Sequence, residues 1–178
     1  MNLTEQQGAA VKAVEHWLKY DVKKKQIFYL AGYAGTGKTT IAKLLGGSVN
    51  RIVYAAFTGK AALMMSTKGC HNASTIHSLI YKVVESKDGS IDFILDDSST
   101  AHMVDLIVID ECSMVDEALG RDLMSFGKPI LVIGDPAQLP PVGNAGFFTN
   151  REPDYMLTEI HRQAKDNPII AMATKVRL

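Results

Sequence analysis

Gly32, Gly35, Thr36, Gly37, Lys38 and Thr39 stand in the pattern GxxxxGK[ST]. Glycines at these places let backbone N–H groups turn inward around phosphate oxygens. The lysine then reaches the outer phosphates, and the threonine hydroxyl is placed to bind Mg²⁺. Thr40 follows with no separate role beyond beginning the helix. Further along, Asp110 and Glu111 close an apolar run as an acidic pair. Asp110 is placed to hold Mg²⁺ through water. Glu111 is placed to orient and deprotonate an attacking water. Alone, such a pair could equally be the solvated start of a helix; the phosphate loop upstream weighs for chemistry. Gln138 lies in a polar, proline-stiffened stretch, 134–143, where it could bond a terminal phosphate and register its loss. The plainer reading of Gly134, Asp135 and Pro136 is a turn. A long segment with Gln138 followed by Pro140 and Pro141 fits an arbitrary turn poorly.

Chemistry of this kind needs a scaffold that brings strand ends together. Four short apolar runs, 26–31, 51–56, 106–109 and 129–133, each end in small or acidic residues. Their length and Ile/Val/Leu content suit strands buried on both faces of a parallel sheet. Helical patterns over 38–45, 60–66 and 117–126 lie between them, so the class is α/β with helices on both faces. Residues 4–20 form a further helix, with Ala10, Val11, Val14, Trp17 and Leu18 on one stripe and Thr4 and Gln7 spaced for a capping box. The phosphate loop follows a predicted strand and opens a predicted helix, which aims the helix's positive end at the phosphates. Between 75 and 105 the pattern changes. Residues 81–85 and 91–95 alternate apolar and polar around Asp88-Gly89, a hairpin signal. A small β-hairpin inserted over about 80–104 is expected; a plain surface loop is the alternative.

Composition narrows the class further. The 178 residues are 47% hydrophobic and 21% charged, ordinary for one domain with a buried core. Lys plus Arg and Asp plus Glu are 19 each, so no overall basic field advertises a nucleic-acid partner. Any such binding must come from local placement, and Lys23, Lys24 and Lys25 read as a solvated loop. Cys70 and Cys112 have no metal-ligand spacing, which argues against a zinc site and suits a reducing cytoplasm; Cys112 reads as a small buried filler. No apolar run is long enough for a membrane span, and the polar N-terminus is unlike a signal peptide.

With these residues in hand, the chain resembles the RecD-like helicases of superfamily one, of the phage Dda type. Residues 3–10 look like the family's Q motif, in which Gln7 would bond adenine and make ATP the nucleotide; the capping-box reading of Gln7 stands beside it. Residues 55–62, with Phe57, Thr58, Gly59 and Lys60, look like motif Ia. Residues 74–78, with Thr75 and His77, look like the next motif that contacts single-stranded DNA. Asp110-Glu111 and the stretch through Gln138 are similar to motifs II and III. Residues 157–163 look like motif IV, whose arginine, Arg162, would act on the γ-phosphate. The family usually has proline where this chain has Phe57, which leaves two roles open: stacking on a base or packing under its strand.

The resemblance implies a three-layer αβα, RecA-like P-loop domain over 1–156 with ATP and Mg²⁺ as cofactors. It also implies 5′-to-3′ polarity and single-stranded DNA as partner. Family members carry motifs V and VI on a second RecA-like domain. Only its start is expected here, over 157–178, with the rest missing and the chain acting as a monomer. The leading expectation is therefore an ATP-driven DNA motor domain that does not unwind by itself. Two alternatives stay open: a P-loop ATPase that loads or remodels, and a domain that binds nucleotide without turnover. Replication, recombination and repair are not distinguished by these residues.

Overall fold

The computed structural model describes residues 3–86, 88–138 and 146–160. In chain order the helices are α1 (Glu5–His16), α2 (Lys38–Leu45), α3 (Gly59–Thr67), α4 (Ile76–Ile80) and α5 (Glu117–Ser125). The strands are β1 (Ile27–Gly32), β2 (Ile52–Ala56), β3 (Ser74–Thr75), β4 (Tyr81–Glu85), β5 (Ile91–Leu95), β6 (Leu106–Asp110), β7 (Ile130–Gly134) and β8 (Tyr155–Leu157). Six strands form one sheet in the order β3-β2-β6-β7-β1-β8, with every neighbouring pair parallel.

The sheet is buried on both faces, as continuous apolar runs require. In β6, Leu106, Ile107, Val108 and Ile109 are each 0% exposed. Leu106 and Val108 join a core with α1, α2 and α3, through Ala10, Val14, Ile41, Leu45 and Met65. Ile107 and Ile109 face the other way, into a core with α4 and α5 through Ile76, Leu79, Leu119 and Leu123. This is the expected three-layer α/β arrangement. Burying each such aliphatic side chain contributes about 1.5–3 kcal/mol, so the strand ends are held by the most stable part of the molecule.

Differences from the sequence expectations lie in short or irregular pieces. The first helix ends its α-helical ladder at His16 and continues as a wider π-type turn over Trp17–Asp21. Trp17 is buried there, and its indole N–H donates to the Lys25 carbonyl at 2.6 Å. Five residues are too few for hydrophobic spacing to separate the two ladders. β3, α4 and β8 were not predicted, because elements of two to five residues show no readable period. The boundary expected after Met156 falls one residue before the end of β8, whose Leu157 is buried in the first core. Among the described residues, no helix is long and apolar enough to cross a membrane, and no group of three or more His, Cys, Asp or Glu could hold a metal by itself.

The expected hairpin is present. β4 and β5 pair antiparallel, from Tyr81↔Leu95 to Glu85↔Ile91, as a separate two-stranded sheet. At its tip Ser86 N–H donates to the Ser90 carbonyl at 2.8 Å, and Asp88, Gly89 and Ser90 are exposed. At its base Asp96 N–H donates to the Ile80 carbonyl at 2.9 Å. Lys87 lies outside the described residues.

Candidate nucleotide site

The phosphate loop is positioned by β1 below it and α2 above it. Gly37 takes a left-handed conformation, φ +85°, as the residue before α2, and a Cβ there would lie 2.4 Å from the Gln7 side-chain nitrogen. Gly32 is required by close approach: a Cβ would come within 2.8 Å of both Leu157 Cβ and Thr36 Oγ1. Thr36 is buried, and its hydroxyl donates to the Tyr33 carbonyl at 2.8 Å. The Lys38 ammonium lies over the loop's own carbonyls, 2.6 Å from Gly32 O and 3.0 Å from Tyr33 O. The cation is thus held at the loop that would receive the phosphates.

Parallel pairing then carries β6 to the same edge. The Thr39 hydroxyl donates to Asp110 Oδ2 at 3.3 Å, and Asp110 Oδ1 accepts Glu111 N–H at 2.9 Å. Glu111 has φ +54°, a left-handed conformation for a non-glycine residue, which costs on the order of 1–3 kcal/mol and gathers at functional sites. Thr39, Asp110 and Glu111 line a cavity of about 360 Å³ together with Thr58, Lys60 and Lys68. A hydroxyl beside a carboxylate is a hard-oxygen donor pair of the kind Mg²⁺ takes alongside phosphate oxygens. The glycine-lined loop fits the phosphates themselves. Burial and the Asp110 charge push the Cys112 thiol up to about 12, so this cysteine stays protonated as filler.

Gln138 sits in the turn that opens after β7, where Ala137 N–H donates to Asp135 Oδ1 at 2.9 Å and Gln138 N–H to Asp135 O at 3.0 Å. The turn expected from Gly134, Asp135 and Pro136 is therefore present. Gln138 is exposed, and its side-chain oxygen accepts the Ser113 hydroxyl at 3.0 Å. Ser113 is buried and follows Glu111 by two residues, so the segment leaving the acidic pair is bonded to Gln138. The sequence reading did not single out Ser113, because a serine after an acidic pair carries no signal until its partner is seen. The stretch 139–145 and Arg162 lie outside the described residues.

Gln7 does form the capping box: its backbone N–H donates to Thr4 Oγ1 at 3.2 Å, and its side-chain oxygen accepts Thr4 N–H at 3.1 Å. Its side-chain nitrogen also donates to Thr36 O at 2.9 Å. Gln6, unremarked in the sequence, binds the chain leaving β8. Its side-chain oxygen accepts Thr158 N–H and Glu159 N–H, each at 2.9 Å. Thr40 lies in the first turn of α2.

The residues expected to meet DNA cluster on the β2–β3 side. Thr58 caps α3 by accepting Ala61 N–H at 3.1 Å, and Thr75 caps α4 by accepting Ser78 N–H at 3.1 Å. Gly59 and Lys60 are exposed at the start of α3. Phe57 is half-buried against the second core and meets the exposed His77 ring edge-on, with centroids 6.1 Å apart. The series continues through His77–Tyr81 at 5.8 Å and Tyr81–Phe93 at 6.5 Å, which links Phe57 to the hairpin. Burial and the bond to Asp122 push the Tyr81 hydroxyl's pKa upward.

A family model described as an AAA domain matches residues 2–177. The chain belongs to this family. No curated protein sequence matches the chain. Among solved structures, this AAA domain is similar to Bacteroides Pif1 bound to ssDNA, at 23% identity and a TM-score of 0.67. That match covers 99% of this chain and 46% of the other. Pif1 helicase from Bacteroides in complex with ADP-AlF3 and ssDNA matches at 24% identity and a TM-score of 0.68, with coverage of 99% and 46%. Pif1 helicase from Candida albicans matches at 22% identity and a TM-score of 0.64, with coverage of 99% and 44%. The shared fold bears out the P-loop α/β expectation, and the AAA domain chain spans less than half the length of these proteins.

Proposed function

We propose that this AAA domain is the first motor domain of a 5′-to-3′ DNA helicase, binding and hydrolysing MgATP and contacting single-stranded DNA. The observation that carries the reading is the Thr39–Asp110 contact, with Lys38 on one side and Glu111 lining the same cavity. Thr39 and Asp110 would hold Mg²⁺, which supplies charge neutralisation on the phosphates when bound. Lys38 would move from its loop carbonyls to the outer phosphates. Glu111 would accept a proton from the attacking water, and Gln138, held by Ser113, would contact the terminal phosphate. Support for DNA comes from the exposed His77 and Phe93 in the aromatic series that runs from Phe57 to Phe93, since exposed rings can stack on bases without reading sequence. The similar Pif1 structures are described as complexes with ssDNA and with ADP-AlF3.

A second RecA-like domain would supply the other wall of the cleft and hold Arg162 against the γ-phosphate. An arginine so placed is worth about 10³–10⁵ in rate in other P-loop enzymes. Residues 1–178 alone should therefore bind nucleotide weakly, hydrolyse it slowly, hold DNA loosely as a monomer and separate no strands. ATP hydrolysis measured with and without single-stranded DNA tests the reading. A DNA-stimulated rate supports the motor. A rate blind to DNA points to a loader or remodeller, and nucleotide binding without turnover points to a non-hydrolysing domain.

A further inference from the structure

The hairpin stands apart from the main sheet, yet its base is held to the domain by a side chain. We propose that Tyr81 is a positioning residue whose hydroxyl, bonded to Asp122, latches the hairpin to α5 and so fixes the line of rings offered to single-stranded DNA. The inference rests on the DNA reading above and deepens it by naming what sets that line.

Four observations converge. First, a lone two-stranded hairpin is marginally stable in water, and β4 and β5 form a sheet of their own. Its direction must be set at its base. The backbone bond there, Asp96 N–H to Ile80 O at 2.9 Å, closes the base but leaves the angle to α5 open. Second, the Tyr81 hydroxyl donates to Asp122 Oδ2 at 2.5 Å. Among the described residues, no other side-chain hydrogen bond joins either strand to the rest of the domain. A hydroxyl facing a carboxylate makes a charge-assisted bond, stronger than a neutral one. Burial and the bond itself push the Tyr81 hydroxyl's pKa upward, so the donor keeps its proton. Third, the anchor is rigid. Asp122 sits on α5 beside Leu123, which is fully buried in the second core with Leu119. Fourth, Tyr81 is the middle ring of the series. Its backbone N–H donates to the His77 carbonyl, and its ring centroid lies 5.8 Å from that of His77. Across the hairpin, Tyr81 pairs with Leu95, and Phe93 is the diagonal neighbour on the same face, 6.5 Å away. Freeing the hydroxyl would let the hairpin swing and carry Phe93 out of line with His77. Bases of one strand stack on several rings together only when the rings are held in line.

Tyr81→Phe keeps the ring and loses the bond, and Asp122→Ala loses the bond from the other end. These two and the double variant form a cycle in the full chain, which isolates what the pair does together. Amide hydrogen exchange is followed over the hairpin and over β6, and oligothymidylate binding by fluorescence anisotropy. The latch predicts that either single variant speeds exchange at Asp96 and along β4 and β5 by about tenfold, the lower end for a hydrogen bond to a charged group, and leaves β6 unchanged. Oligothymidylate affinity should fall by a similar factor in each single variant and no further in the double, with MgATP affinity at the wild-type value. Wild-type hairpin exchange in both single variants would overturn the inference. So would a loss of DNA affinity in Tyr81→Phe alone, which would place the hydroxyl on the DNA, or losses that add in the double variant. If the wild-type chain binds no oligothymidylate, the DNA reading fails separately, and the exchange rates still decide whether the latch exists.

Discussion

At the carboxyl edge of the sheet, polar side chains from different elements meet one another before any ligand arrives. Thr39 on α2 reaches Asp110 at the end of β6, Ser113 reaches Gln138, and Gln7 reaches the phosphate loop. The hairpin is the opposite case. Its two strands pair as a separate sheet, tied to α5 through the Tyr81 hydroxyl and Asp122, and Val83, Ile91 and Phe93 are 61–63% exposed. One region is pre-arranged on a core that excludes water; the other projects apolar surface that the core does not cover. On the proposed function, the contrast separates chemistry, which needs atoms held in place, from contact with a long flexible polymer, which needs reach.

The largest expected effect of breaking this arrangement is at Glu111. Glu111→Gln should slow hydrolysis by about 10²–10⁴-fold, the range for loss of a general base. MgATP affinity should stay near wild type, as separate binding and single-turnover measurements would show. Asp110→Asn should instead raise the Mg²⁺ concentration needed for half-maximal binding. An equal loss of nucleotide affinity in both would reject the division of roles between neighbouring carboxylates.

Stability should divide the two regions just as sharply. Ile107→Ala, in the strand that carries the acidic pair, should destabilise the fold by about 2–5 kcal/mol in urea unfolding. Phe93→Ser on the hairpin should change it by under about 0.5 kcal/mol, as for exposed positions away from special features. A comparable loss at Phe93 would mean that the hairpin is packed far more tightly than its exposure shows.

A smaller and more local effect is expected along the aromatic series. His77→Ala should weaken binding of oligothymidylate by roughly 5–150-fold if one base stacks there, since stacking is worth about 1–3 kcal/mol per base. MgATP affinity should be unchanged. Shortening the hairpin tip between Ser86 and Ile91 should spare DNA-stimulated hydrolysis and reduce unwinding in a protein that carries both motor domains. Loss of stimulation on shortening the tip would give the hairpin a different task.

Much of the sheet was legible because each central strand is a continuous apolar run, and the phosphate loop because its glycines are forced by close approach. The acidic pair was legible for the same reason: a strand buried on both faces must deliver its first polar residues at its end. The pieces that escaped are those whose meaning lies in a partner. β3 and β8 are too short to show a period, and each is fixed by a neighbour, β2 and β1 respectively. Ser113 and Gln6 became visible only through Gln138 and through Thr158 with Glu159. Gln7 shows how two signals can overlay: the capping-box and Q-motif readings share one spacing, and its bond to the Thr36 carbonyl became visible only in the structure. Phe57 packs against the second core and meets His77 edge-on, which bears on its packing reading and not on stacking against a base.

The central claim, that the sheet edge is the nucleotide wall of a DNA motor, is tested most directly by single-turnover ATP hydrolysis on residues 1–178 with and without oligothymidylate. Lys38→Ala serves as the background. The account predicts a slow rate that rises when DNA is added and disappears in Lys38→Ala. A rate unchanged by DNA, or one that survives the loss of Lys38, would contradict it.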